Sequence, residues 1–304
     1  MKSLFQLLWV LVFLPAAIVL VFAACTDAAK ETHLSKSALS ASLMSLSEEA
    51  RIHLDAPVPP SGEVLGEWTR LRKEAVLRVG ELKGEAAVAA LSQFIFEEKG
   101  FVREVDDSDI RFMLLPWVIR HRKGSCLGLA GLYLVLARDL GLPIHGVLVP
   151  GHFFLRFQQK SSRANIELLR KGERMPDEWY RAKWPFEGQP EAYLRTLSDQ
   201  ETLAVFHFNL GNAHRKARHL DAAQHLDYAI RNYQQAISLL DTFAEAHASL
   251  GLSHQLRDDK QAAEKAYQRA KELQPGLPGL ERNLAVLRKE SSVSEQGESK
   301  EQGQ

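Results

Sequence analysis

The 304-residue chain has no net charge, since 38 Lys and Arg balance 38 Asp and Glu. It lacks the basic footprint that binding to a phosphate backbone requires, so no nucleic-acid partner is expected. Cysteine is nearly absent, with only Cys25 and Cys126. Two cysteines can build neither a disulfide framework nor a zinc site made of Cys pairs. His121 and His145 stand near Cys126 in the sequence without HxxxH or CxxC spacing, so no metal site or cofactor is expected. What is present is ordinary globular composition, 45% hydrophobic and 25% charged, which excludes wholesale disorder. The length exceeds one ordinary domain and suits two.

The single long apolar run, Leu4 to Ala24, is broken only by Gln6 and Pro15 and follows Lys2. A positive start, an apolar run and a small-residue end read as a secretory signal. Phe22-Ala23-Ala24-Cys25 resembles the lipobox of bacterial lipoproteins, with Phe22 where Leu is usual. The resemblance implies a signal peptide over 1–25, lipidation of Cys25 and a two-chain anchor, which holds stably in a membrane. The alternative is an uncleaved transmembrane helix, for which the run is long enough. Either way Lys2, the sole early positive charge, puts the rest of the chain across the membrane. By lipoprotein sorting rules Thr26, in place of the Asp that signals retention, favours the outer membrane. The expectation is a lipid-anchored, periplasm-facing protein of the bacterial cell envelope. Residues 26–60, rich in Ser, Ala and Pro, read as a tether containing one amphipathic helix, Ser37 to Leu54.

From Glu63 to Gly100 apolar residues fall at three- and four-residue steps, predicting two helices. Asp106, Asp107 and Asp109 cap or precede another, reaching Ile119. Ser125 is a plausible N-cap for a helix that runs through Leu140 and ends at Gly141 and Pro143. Cys126 then lies in the first turn, where the helix field and unpaired N–H groups favour thiolate. The period next changes to two: strands over Ile144–Val149, His152–Gln158 and Ala164–Leu168, with Pro150-Gly151 turning between the first two. Asn165 and Glu167 project to one face of the third strand. Cys126 thus heads a helix, His152 starts a strand and a polar residue lies on the next strand, the arrangement of nucleophile, base and orienting group that thiol activation needs. The bland readings are a small buried cysteine, a turn-adjacent histidine and a solvated glutamate. Arg120-His121-Arg122-Lys123 reads as a solvated helix end that, near a thiolate, would add positive field. Trp179, Tyr180, Trp184, Pro185 and Phe186 either roof the site or close the core, the latter preferred.

Four blocks carry a family resemblance: Phe94 to Phe101 (FIFEEKGF), Lys123 to Leu129 (KGSCLGL), Leu140 to Ile144 (LGLPI) and Pro150 to Phe154 (PGHFF). The segment from about Leu91 to Tyr180 resembles the transglutaminase-like superfamily, in the branch related to the SirB proteins. The resemblance implies a papain-like α+β fold, a helix bundle packed on a small antiparallel sheet, over residues 61–200. It places the catalytic nucleophile on Cys126 and the base on His152, with Glu167 preferred to Asn165 as third member. The reaction implied is acyl transfer or peptide-type hydrolysis by a cysteine-dependent enzyme. The competing expectation is a non-catalytic binding module, and a weaker third is a redox-sensing thiol.

After Leu203 a repeat emerges. Leu250-Gly251, His254, Ala263, Tyr267, Ala270 and Pro275 match the tetratricopeptide (TPR) spacing. Leu210-Gly211 and His214 begin an earlier copy whose Ala229, Tyr233, Ala236 and Asp241 come six residues late, through an extended loop or lengthened helices. Residues 201–288 therefore resemble an all-α TPR domain with a capping helix over Gly279 to Arg288. Such an array either binds a protein or peptide partner in its groove or simply packs on the preceding domain. Residues 289–304, of Ser, Glu, Gln, Gly and Lys, read as a disordered tail.

Overall fold

The computed structural model describes residues 38–104, 109–160, 162–188, 190–217 and 221–289. The signal segment with Cys25, the start of the tether, Asp106, Asp107 and the tail from residue 290 lie outside the described residues. Among the described residues, no helix is long and apolar enough to cross a membrane.

Three helices come first: α1 (Ala38–His53), α2 (Ser61–Val79) and α3 (Gly84–Gln93), the last prolonged by a π-helical turn, Phe94–Glu98. In α1, Leu39, Leu43, Leu46 and Ala50 recur at helical steps and are all buried. A stripe of that size gains several kcal/mol by leaving water, at roughly 1.5–3 kcal/mol per fully buried aliphatic side chain. The helix expected within a tether is accordingly a core element, and Ala56 and Val58 follow it inside. One contiguous core runs from Leu39 to Ala246. The described residues from Leu39 onward belong to one compact unit.

At the centre lies α5 (Cys126–Asp139), preceded by α4 (Leu115–His121). Every residue of α5 from Leu127 to Ala137 is buried, the signature of a helix surrounded on all sides. Asp139 at its far end pairs with Arg72 of α2 at 2.5 Å. Residues β1 (Val102–Arg103) and β2 (Lys123–Gly124) form a short parallel pair. The main sheet is antiparallel: β3 (Ile144–Val149), β4 (His152–Gln159) and β5 (Ser162–Ile166) in that order. Pro150 and Gly151, the latter at φ 68°, turn β3 into β4 and leave Val149 opposite His152. Pro at the first and a positive φ at the second central position suit a type II turn. The strand expected to reach Leu168 ends at Ile166; Glu167 forms an isolated bridge to Glu173 and Leu168–Arg170 is a 3₁₀ turn. A short helix, α6 (Asp177–Lys183), follows.

Four helices then pack as two antiparallel pairs: α7 (Asp199–Lys216) on α8 (Ala222–Leu239), and α9 (Ala244–Leu256) on α10 (Lys260–Leu273). Helix α7 starts with a capping box between Ser198 and Glu201. A Cβ on Gly211 would meet the Tyr233 ring at 2.7 Å, and one on Gly251 the Tyr267 ring at 2.6 Å. Each pair thus closes on the same glycine-against-tyrosine contact, which needs a residue without Cβ. The six-residue delay falls after the glycine: α7 and α9 each end five residues past it, but the connection into α8 is two residues longer than that into α10 and α8 begins four residues further ahead of its tyrosine. A final helical stretch over residues 280–289 buries Leu280, Leu284 and Leu287 against Ala263, Tyr267 and Ala270.

Candidate functional site

Cys126 is the first residue of α5 and is half-buried. Ser125 is its N-cap, accepting the Gly128 N–H at 3.2 Å and donating its own N–H to the Phe112 carbonyl at 2.8 Å. The 3₁₀ turn Ile110–Met113, capped by Asp109 through the Arg111 N–H at 2.9 Å, crosses this helix tip. The crossing is so close that a Cβ on Gly128 would lie 2.0 Å from the Phe112 oxygen. Only glycine admits the turn, which also holds the backbone of Ser125, the residue before Cys126.

His152 opens β4 directly after the hairpin turn. Its Nε2 lies 2.9 Å from Glu167 Oε2, with side-chain exposures of 2% and 0%. The other carboxylate oxygen accepts the Leu169 N–H at 2.9 Å, so Glu167 is held from two sides. A carboxylate accepts only; the Nε2–H therefore donates to it, and Nδ1 is the ring nitrogen that Glu167 leaves unengaged. Trp184 covers the imidazole face to face, with centroids 3.9 Å apart and planes at 5°. The preferred reading of the aromatic cluster as core closure is thus incomplete, because Trp184 touches the histidine while Tyr180 is buried with Val147, Val149 and Phe154. Burial, and then the Glu167 charge, push the Tyr180 hydroxyl well above its ordinary pKa.

Asn165 shares a sheet face with Glu167 but is engaged elsewhere. Its Oδ1 accepts from Arg156 Nε at 2.7 Å, and its Nδ2 donates to the Met175 carbonyl and to Asp177 Oδ1, each at 2.8 Å. Of the two candidates for third member, the fold brings Glu167 to His152 and commits Asn165 to the buried Arg156. His121 stacks on Trp117 at 3.7 Å, and His145 lies on β3 opposite Arg156. In the basic run Arg120 pairs with Glu67, Lys123 with Glu104, and Arg122 reaches the Lys99 carbonyl. None of these lines the cavity that holds Cys126.

That cavity, of about 500 Å³, is lined by Cys126 and His152 together. Ile110, Met113, Leu148 and Phe153 supply apolar wall on the near side. The far wall comes from much later in the chain: Phe208, Asn209, Asn212 and Lys216 of α7, then Phe243 and Glu245. Burial raises the Glu245 pKa, and its Oε1 accepts from the Tyr193 hydroxyl. The sequence carried no signal that these residues line the site: they lie in the repeat segment, some 80 positions or more beyond Cys126. The assembly can present a carbonyl carbon to a thiol, take up or return a proton at an imidazole, and keep that imidazole oriented by a buried carboxylate.

The chain is 34% identical over 167 residues to a UPF0162 protein of Pseudomonas aeruginosa, covering 52% of this chain and 58% of that one. It is 36% identical over 70 residues to a UPF0162 protein of Xylella fastidiosa, covering 23% and 25%. The chain therefore spans less than two thirds of the curated relatives it matches. A crystal structure of menin, described with the binding site for Mixed Lineage Leukemia protein, aligns over 76% of this chain and 62% of that one. The TM-score is 0.41 at 10% identity. A family model described as the transglutaminase-like superfamily matches residues 38–233, more than half of the chain, and starts where α1 enters the core. The chain belongs to the transglutaminase-like superfamily.

Proposed function

We propose that this protein is a cysteine-dependent acyl transferase or amide hydrolase whose nucleophile is Cys126, whose general base is His152 and whose orienting group is Glu167. The observation that carries the reading is the buried His152–Glu167 contact at 2.9 Å, beside a cavity that Cys126 and His152 both line. His152 takes the Cys126 proton. The sulfur attacks an amide or ester carbonyl, and the Cys126 backbone N–H faces the developing oxyanion. The tetrahedral intermediate expels its amine or alcohol, protonated by His152, and leaves a thioester. Water or an acceptor amine then attacks the thioester with His152 as base and regenerates the thiol.

Alkylation by iodoacetamide tests this. Cys126 should react readily below pH 7 in the folded protein, and His152→Ala should slow it at least tenfold at pH 6.5, where an ordinary thiol is about 1% ionised. A thiol that reacts only on unfolding refutes the enzyme and leaves the cavity as a binding site.

In the same proposal, Cys25 is acylated and the protein is held on the periplasmic side of a bacterial outer membrane. Radiolabelled palmitate should enter the wild type and not Cys25→Ser. The two helix pairs are TPR-type repeats, supported by the glycine-tyrosine contact that α7–α8 and α9–α10 share.

A further inference from the structure

Helix α7 supplies part of the wall of the thiol cavity. Asn209, Asn212 and Lys216 stand on it at helical steps of three and four, one above the other. Asn209 Nδ2 donates to the Val205 carbonyl at 2.8 Å, which can only accept, so the amide orientation is fixed and Oδ1 is turned outward. Asn212 is fixed as well. Arg215 Nε donates to the Tyr233 hydroxyl at 3.2 Å, and that hydroxyl donates to Asn212 Oδ1 at 2.8 Å, leaving both Nδ2 hydrogens outward. The wall thus offers an acceptor, then donors, then an ammonium. From Asn209 to Lys216 the helix rises about 10 Å, the reach of three residues of extended peptide.

The charges of the cavity single out Lys216. Asp109 is paired with Arg111 at 2.6 Å, Glu167 is behind His152, and burial moves Glu245 toward its neutral form. Lys216 is exposed and has no ion pair among the described residues. We propose that the cavity takes an extended acidic peptide. Asn209 and Asn212 hold its backbone N–H and C=O, and Lys216 holds a carboxylate about three residues along. This rests on the thiol reading above for the chemistry done to the peptide, but not for its binding.

Two measurements on the full chain separate the parts. Cys126 is first alkylated with anionic iodoacetate and neutral iodoacetamide; the ratio of the two rates reports the charge beside the thiol, and the iodoacetamide rate reports the thiol itself. Lys216→Met should lower the ratio about threefold at low salt, Lys216→Glu further, and the difference should fade in high salt. Then Cys126→Ala protein is titrated with acetyl-Ala-Ala-Glu and acetyl-Ala-Ala-Gln in a calorimeter. The Glu peptide should bind at least threefold tighter, and Lys216→Met should remove the preference. A thiol that is inert while Cys126→Ala still prefers the Glu peptide refutes the enzyme and supports the peptide site. A reactive thiol whose rate ratio ignores Lys216, with equal binding of both peptides, refutes the peptide site and supports the enzyme. Absence of both thiol reactivity and peptide preference refutes both.

Discussion

Replacing Glu167 separates its two duties. Its carboxylate has no exposure and accepts two donors, His152 Nε2–H at 2.9 Å and the Leu169 N–H at 2.9 Å. Glu167→Ala strands both in an apolar surround. At about 1–3 kcal/mol for each buried unsatisfied donor, with a cavity added, the loss should be about 3–5 kcal/mol. Glu167→Gln is nearly the same shape and has one acceptor instead of two. If its oxygen keeps the Leu169 N–H, its NH₂ faces His152 and the ring answers by moving its proton to Nδ1. The nitrogen that should receive the Cys126 proton is then already protonated. Glu167→Gln should therefore cost only about 1–2 kcal/mol of stability, one mismatched bond, and yet slow alkylation at pH 6.5 by tenfold or more. Urea unfolding gives the first quantity and iodoacetamide rates from pH 5 to 9 the second. A Glu167→Gln protein that alkylates like the wild type across that range refutes the orienting role. A Glu167→Ala protein that loses less than about 1 kcal/mol refutes the buried pair.

Gly128→Ala should destabilise by about 1–3 kcal/mol in urea, despite the better helix former, because its Cβ would meet the Phe112 oxygen at 2.0 Å. Wild-type stability here would point to a slack crossing and a loosely placed Cys126. Acid should weaken the fold through His214. Burial, reinforced by His225, pushes its pKa from 6.5 down to about 3, so the folded state holds it neutral while the unfolded chain takes up a proton below 6.5. Its contribution is therefore complete above pH 6.5 and is lost as pH falls toward 3, amounting to about 2 kcal/mol at pH 5. His214→Phe should flatten the fall in thermal midpoint between pH 6.5 and 4.5, and an unchanged slope would refute the assignment.

The candidate site was legible where it depends on local rules. A serine before an apolar run caps a helix, Pro-Gly turns a hairpin, and alternate residues of a strand share a face. Ser125, Cys126, His152 and the Asn165/Glu167 pair follow from these, because each rule acts within a few residues. The choice between Asn165 and Glu167 did not follow, since it depends on the register of β5 against β4 and on Arg156, which takes up Asn165 from the neighbouring strand. Helix α1 was legible as a helix but not as core: an amphipathic stripe specifies that something must cover it, without saying what does. Nor was the contact of Trp184 with His152 legible, because stacking is set by where α6 packs.

By itself the sequence determined the helices and strands, the capped cysteine and the short hairpin that delivers the histidine, since hydrogen bonding and apolar periodicity within a segment suffice for these. Tertiary packing alone decided that Asn209, Asn212 and Lys216 of α7 line the same cavity as the thiol. The reason is physical: a helix face is specified by its own residues, but its partner is settled by the shape and burial of the whole core, through contacts between residues far apart in the chain.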